Sequence, residues 1–275
     1  MDIRTALQGK RLFLLDMDGT LYLGDRVFPH CVDFLQAIHT RGGRYMYLTN
    51  NSSKSADKYL EKLRRLGLPA RTEDFFTSTD AACAYLRAHY HGKSIYALGT
   101  ASFRAQLRAA GFPVTDRLSD DVDCLLMGYD TELTYRKLED ACALLRRGVA
   151  YLATNPDWVC PTAEGYVPDC GAVSQMLEHA TRRTPYFIGK PRPDIALLAM
   201  EKANCRPEEA VLIGDRIYTD IACGVNAGID TVLVLSGETT RGDWAASAVR
   251  PTFVCQDVAE LYALLTEQKQ GGDRA

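Results

Sequence analysis

No Cys-x-x-Cys pair occurs in this chain of 275 residues, although it holds nine cysteines. Their number is odd, and Cys83, Cys124, Cys142 and Cys223 sit among apolar neighbours. Such thiols read as reduced, buried residues rather than a disulfide framework, which points to a cytoplasmic protein. The five histidines form no pair at zinc-binding helical spacing, so no structural zinc is expected. No apolar run approaches the roughly 18 residues of a membrane span. Asp16 and Asp18 also interrupt the apolar run near the N-terminus that a signal-peptide core would require. No membrane partner is expected. Lysine and arginine do not cluster beyond the pairs Arg64-Arg65, Arg146-Arg147 and Arg182-Arg183, and the formal net charge is -3. No bulk field therefore favours nucleic acid. Internal repeats and low-complexity tracts are missing too.

What is present is an alternation of short apolar runs and amphipathic stretches. Hydrophobic content of 47% and charged content of 24% are ordinary for a globular protein. Leu12 to Leu15 is long enough for one buried strand of a parallel sheet. Further strands are predicted at Arg44–Thr49, Phe75–Thr77, Ala210–Ile213, Thr231–Leu235 and Phe253–Val254. Helices are expected over Cys31–Thr40, Ser53–Leu66, Ala81–Ala88, Asp194–Lys202, Ile221–Ala227 and Val258–Gln268, with glycines 42, 67 and 228 as stops. Leu23 to Pro29 and Gly237 to Arg250 read as loops, and the tail from Gln270 as disordered.

A second α/β series interrupts the first. Its strands are predicted at Ser94–Leu98, Cys124–Met127 and Ala150–Ala153, and its helices at Ala101–Ala110, Thr134–Arg147 and Ala172–Thr181. A long loop is expected from Thr154 to Gly171. The reading is thus an α/β fold: a doubly wound parallel sheet from residues 1–90 and 186–275, with a smaller α/β domain, 91–185, inserted.

Carboxylates sit where such sheets bind ligands. Asp16 and Asp18 follow the first strand, with Gly19 and Thr20 behind them. Thr49 ends another strand just before a helix, a favourable place for a phosphate; read alone, Asn51-Ser52-Ser53 would simply cap that helix. Lys190 stands in Gly189-Lys190-Pro191, and Asp215 and Asp220 follow a later strand. Taken singly, each of these could be a turn or cap residue.

Together, Asp16-Met17-Asp18-Gly19-Thr20-Leu21-Tyr22, Thr49, Lys190 and Asp215 occur in the order of the four motifs of the haloacid dehalogenase (HAD) superfamily, which the chain resembles over nearly its whole length. The resemblance implies a phosphatase in which Asp16 is the nucleophile and Asp18 the acid/base. Thr20, Thr49, Asn50 and Lys190 would bind the phosphoryl group, Thr49 and Lys190 sharing in the catalysis. Mg²⁺ would be held by Asp16, Asp215, Asp220 and the backbone carbonyl of Asp18.

The insertion lies between Thr49 and Lys190, the place of a C2-type cap in that superfamily. Leu48-Thr49-Asn50-Asn51-Ser52, Gly128-Tyr129-Asp130, Ala153-Thr154-Asn155-Pro156-Asp157 and Gly214-Asp215-Arg216 resemble its NagD and 4-nitrophenylphosphatase-like branch. Members act on nucleotides, sugar phosphates, phosphoglycolate and pyridoxal phosphate, so a small phosphorylated metabolite is the expected partner, and 4-nitrophenyl phosphate an expected substrate in vitro. Tyr129, Asp157, Trp158, Asp169 and Gly171 are the expected selectors of the leaving group, with Trp158 and Tyr129 equally readable as packing. Cys160-Pro161 stands where pyridoxal-phosphate phosphatases have a histidine before the proline, which weighs against that substrate. Asp169 is expected to disfavour a second anionic group, which favours a sugar or nucleoside leaving group. A homodimer through the cap is a further possibility of this branch. The alternatives are a phosphotransferase on the same core and a non-catalytic phosphometabolite-binding module. Intact Asp16, Asp18, Lys190 and Asp215 argue against the module, because binding alone needs neither a nucleophile nor an acid/base.

Overall fold

A computed structural model describes residues 2–162 and 164–266. Its larger sheet has six parallel strands in the order Phe253–Cys255, Asp230–Val234, Ala210–Gly214, Leu12–Leu15, Arg44–Thr49 and Phe75–Thr77. Leu12–Leu15 is central and buried on both faces. Its period-2 alternation divides the core. Leu12 and Leu14 pack with Met46, Leu48, Leu212 and Ala196 on one side. Phe13 and Leu15 pack with Phe34, Tyr47, Val211 and Ile213 on the other. Helices cover both faces, as a doubly wound parallel sheet requires.

The second sheet has five strands in the order Tyr186–Phe187, Ala150–Ala153, Cys124–Met127, Ile95–Leu98 and Val114–Thr115, again parallel. Tyr186 and Phe187, assigned by sequence to the returning first unit, hydrogen-bond with Leu152 and Ala153 at the edge of this second sheet. Ile95, Ala97, Cys124, Leu126 and Leu152 belong to the same apolar cluster as Leu12 and Leu14. Cys83 and Leu86, on the helix Ser78–His89, extend that cluster beside them.

Three local departures from the sequence expectations matter for the site. The stretch expected as an unbroken loop from Thr154 to Gly171 contains an antiparallel hairpin, Val159–Thr162 with Gly165–Pro168. Pro161 and Pro168 hide it from sequence, but a two-stranded ribbon tolerates proline wherever the missing N–H faces outward. The helix expected from Ser53 begins only at Ala56, because Asn51 Oδ1 takes the Ser53 amide at 2.9 Å and its hydroxyl at 2.7 Å, forming a local turn. Asp220 lies in a wide π-type turn, Ile217–Ile221, that precedes the short helix Ala222–Asn226.

Elsewhere, Thr77 and Asp80 form a reciprocal cap, so that helix begins at Ser78 rather than Ala81. Arg241–Ala246 is a helix capped by Thr240 and Asp243 inside the segment expected as loop. Tyr22–Leu23 and Arg26–Val27 pair as a small hairpin where a loop was expected. The last helix spans Val258–Thr266; the expected end at Gln268 and the tail from Gln270 lie outside the described residues. All nine cysteines are free. Among the described residues no helix is long and apolar enough to cross a membrane.

Candidate active site

The sheet register builds the site. Leu15 is level with Ile213 on one side and Tyr47 on the other, and the Asp16 amide donates to the Ile213 carbonyl at 2.9 Å. Asp16 thereby stands beside the tips that carry Asp215 and Thr49. Lys190 enters from the loop after Tyr186–Phe187, 2% exposed. Its Nζ donates to Asp16 Oδ1 at 2.7 Å, Asp220 Oδ1 at 2.6 Å and the Leu48 carbonyl at 3.0 Å, which uses all three ammonium hydrogens.

Asp16, Asp215 and Asp220 each present an oxygen within 4.8 Å of the others. Asp215 is caged: Oδ2 accepts the Glu238 amide at 2.7 Å and Oδ1 the Thr20 hydroxyl at 3.3 Å. Gly19 and Gly237 make that cage possible, because a Cβ on either would lie 2.4 Å or 2.0 Å from Asp215 Oδ2. Gly19 also holds φ +91°, a conformation that favours glycine. Asp220 Oδ2 accepts the Arg216 amide at 3.0 Å.

Three carboxylates against one ammonium leave an excess of negative charge. Burial pushes the Asp16 carboxyl up to about 7, Asp220 adds to the rise, and Lys190 opposes it. Burial, then Asp16 and Asp220, raise Asp215 well above the ordinary carboxylate range. Burial works against the Lys190 charge, but Asp16 and Asp220 outweigh it and hold the ammonium protonated. An all-oxygen donor set with surplus negative charge fits a hard divalent cation such as Mg²⁺.

Asp16, Lys190 and Asp220 open onto a cavity of about 160 Å³. Asp16, Asp18, Thr49, Asn50, Asp157, Asp169, Lys190 and Asp220 all line it, so the structure brings together most of the residues chosen from sequence. Asp18 is not one of the three clustered carboxylates; its Oδ2 lies 3.4 Å from Lys62 Nζ. A smaller neighbouring cavity, about 110 Å³, is lined by Asp18, Asp215, Arg216, Tyr166 and Glu238.

Several expected residues do other work. Thr20 is fully buried and is not on the wall of the main cavity; it braces Asp215 instead of facing a phosphate. Tyr129 is also off the wall and buried, its amide donating to Ser52 Oγ at 2.9 Å. Trp158 is half exposed and outside the cavity. Gly171 provides close packing, since a Cβ there would lie 2.1 Å from the Pro156 carbonyl oxygen. Asp157 and Asp169 do reach the wall, but both accept hydrogen bonds from Asn155 Nδ2, at 3.1 and 3.2 Å. Burial, followed by repulsion from Asp157, pushes Asp169 up to about 7. The expected repulsion of a second anionic group by Asp169 is correspondingly reduced near neutral pH.

Sequence reasoning misses Lys54, Tyr59, Lys62 and Arg216, which also line the cavity. Tyr59 and Lys62 lie three apart on the helix Ala56–Arg65, a spacing that puts both on one face. Arg216 forms an ion pair with Glu238, Nε lying 2.9 Å from Oε2, and its Nη1 lies 3.7 Å from Asp157 Oδ2.

A haloacid dehalogenase-like hydrolase family model matches residues 13–113 and a HAD-hydrolase-like model residues 187–261. An acid sugar phosphatase of Staphylococcus aureus is 34% identical over 255 residues, covering 93% of this chain and 98% of the relative. The crystal structure of a 4-nitrophenylphosphatase from Thermotoga maritima superposes with a TM-score of 0.88 at 37% identity, covering 94% of this chain and 98% of that one. A glycerol phosphate phosphatase from Mycobacterium tuberculosis, solved with magnesium, gives a TM-score of 0.87 at 29% identity over 93% of this chain and 77% of that one. The chain belongs to the haloacid dehalogenase-like hydrolases, in their branch of NagD- and 4-nitrophenylphosphatase-like phosphatases.

Proposed function

We propose that this phosphatase hydrolyses a small phosphomonoester, such as a sugar phosphate or nucleoside monophosphate, through an aspartyl-phosphate on Asp16, with Mg²⁺ as cofactor. The observation that carries the reading is that Asp16, Asp215 and Asp220 cluster around Lys190 where Asp16, Lys190 and Asp220 line one cavity, with Asp18 also on its wall. Bound between Asp16, Asp215 and Asp220, Mg²⁺ would supply positive charge to the phosphoryl oxygens.

The protein's own groups account for the rest. Lys190 steers the Asp16 carboxylate and offsets charge as the phosphate enters. Asp16 attacks phosphorus while Asp18 protonates the departing oxygen. Asp18 then takes a proton from the water that cleaves the acyl phosphate, returning Asp16. Thr49 and the Asn50 amide bind phosphoryl oxygens. The second sheet with its Val159–Pro168 hairpin serves as the cap that screens the site from bulk water.

The direct test is phosphate release from a panel of phosphomonoesters with and without Mg²⁺. Release that needs Mg²⁺ supports the reading; no release from any ester by folded protein defeats it. Asp18→Asn sharpens the assignment. Turnover of alkyl esters is expected to fall about 10²- to 10⁴-fold, the worth of a positioned acid/base. With 4-nitrophenyl phosphate the first step needs little protonation, so phosphorylated enzyme should accumulate and be visible by mass spectrometry. Equal losses on both ester types, with no trapped intermediate, would remove Asp18 from that role.

The metal leaves a pH signature. The folded-state Asp16 pKa of about 7 lies above the roughly 4 of an unfolded aspartate. The stability this contributes to metal-free protein is full below about pH 4 and is lost as pH rises through about 7. Metal binding runs the opposite way, because Asp16 must release its proton to coordinate. The rise in unfolding temperature on adding Mg²⁺ is therefore expected to be larger at about pH 8 than at about pH 5. A thermal-shift series in which that rise shrinks with pH would contradict the ligand set.

A further inference from the structure

We infer that Asp157 is a positioning residue: it links docking of the second unit to the placement of Lys190, and it acts through the side chain of Asn50. The inference rests on the phosphatase reading for its kinetic consequence and on hydrogen-bond geometry for its substance.

The Asn50 side chain brackets the backbone of Lys190. Its Oδ1 accepts the Lys190 amide at 2.8 Å, and its Nδ2 donates to the Lys190 carbonyl at 3.0 Å. The same Nδ2 reaches Asp157 Oδ1 at 3.2 Å and Oδ2 at 3.3 Å. A primary amide nitrogen has two hydrogens, so one serves Lys190 and the other Asp157. Asn50 is 5% exposed and Asp157 4%. Without Asp157, one Asn50 N–H would be buried and unpaired, and the side chain would turn to find another acceptor. That turn releases both ends of the Lys190 peptide.

Asp157 is engaged by protein donors. Besides Asn50, Oδ2 accepts Asn155 Nδ2 at 3.1 Å and faces Arg216 Nη1 at 3.7 Å. Its hydrogen bonds run to Asn50 and Asn155 within the protein, and the kinetic comparison below separates this role from leaving-group selection. The Arg216 limb points to the same centre, since the Arg216 amide holds Asp220 Oδ2 at 3.0 Å. A docked second unit thus presents one carboxylate that touches the supports of both Lys190 and Asp220. An undocked unit leaves those supports incomplete.

The test uses the full chain with Mg²⁺, comparing wild type, Asp157→Asn, Asp157→Ala, Asn50→Ala and the double alanine variant. Asp157→Ala is expected to lower kcat about 10- to 100-fold, the usual cost of losing an outer-shell support. KM should hold, and the loss should be equal on 4-nitrophenyl phosphate and glycerol phosphate. Asp157→Asn should recover part of it, because its amide oxygen still accepts from Asn50. The double variant should be no slower than Asn50→Ala alone. Hydrogen exchange of the Lys190 amide should quicken in Asp157→Ala and, less, in Asp157→Asn. A loss confined to KM or dependent on the leaving group would make Asp157 a substrate contact and overturn the inference, as would additive losses in the double variant. If Asp157→Ala fails to fold, Asp157→Asn decides, and wild-type exchange at Lys190 there overturns the coupling. Absence of phosphate release by wild type would sink the phosphatase reading, while the exchange comparison would still test the link.

Discussion

Asparagine in place of Asp16 is expected to leave a folded protein whose phosphate release falls on the order of 10⁴-fold or more, because the covalent step loses its nucleophile. The amide is nearly isosteric and its Oδ1 can still accept from Lys190 Nζ, which lies 2.7 Å from the native carboxylate oxygen. Removing the charge relieves repulsion among Asp16, Asp215 and Asp220, whose oxygens lie within 4.8 Å of one another. Metal-free Asp16→Asn should therefore unfold at an equal or higher temperature than wild type above neutral pH, where the native carboxyl is ionised. Loss of activity with retained or raised stability is a pairing that general misfolding cannot imitate. The measurements are phosphate release and thermal unfolding in chelator at about pH 8, above the Asp16 pKa. Near-wild-type turnover would defeat the nucleophile assignment, and a large drop in unfolding temperature would defeat the charge-crowding account.

The strand tips were legible because a buried parallel strand is a short apolar run, and its end announces itself in polar residues such as Asp16, Thr49 and Asp215. Parallel register then brings tips together without any knowledge of side-chain direction. Direction is where sequence failed. Thr20 follows Asp18 and Gly19 as a phosphate ligand might, yet the positive φ at Gly19 turns the loop so that Thr20 faces Asp215. In sequence, Asn50 stands out only for its backbone amide. The work of its side chain depends on Lys190, 140 residues away, and on Asp157, 107 residues away, which no local pattern encodes. Tyr129 and Trp158 carry the same ambiguity in sequence; the fold buries the first off the main cavity wall and leaves the second half exposed outside it. Lys62 could have been found, because Tyr59 and Lys62 share a helix face whose N-terminal end adjoins Thr49. The hairpin at Val159–Pro168 could not, since its two prolines argue locally against any strand.

Methionine at Lys190 should damage stability and activity together, with a pH dependence that reveals the cause. Lys190 is the ammonium that bridges Asp16 and Asp220, and it is almost wholly buried. Removing one partner from such a cluster leaves uncompensated charge and typically costs about 3–5 kcal/mol. The cluster has one escape, which is protonation. Lys190 opposes the burial and repulsion that raise Asp16 to about 7, so its loss moves that carboxyl higher still. In metal-free variant the penalty should accordingly be smallest in mild acid, where Asp16 takes up a proton, and should grow as pH rises through and beyond about 7. Mg²⁺ should recover part of the stability by replacing the missing positive charge. It should not recover turnover, expected to be lower by on the order of 10²- to 10³-fold, because the charge aimed at the phosphoryl group from the Lys190 side is gone. Unfolding curves across that pH range, with chelator and with Mg²⁺, separate these effects. A penalty independent of pH would mean that Lys190 matters for packing alone and that its charge does not offset the repulsion between Asp16 and Asp220.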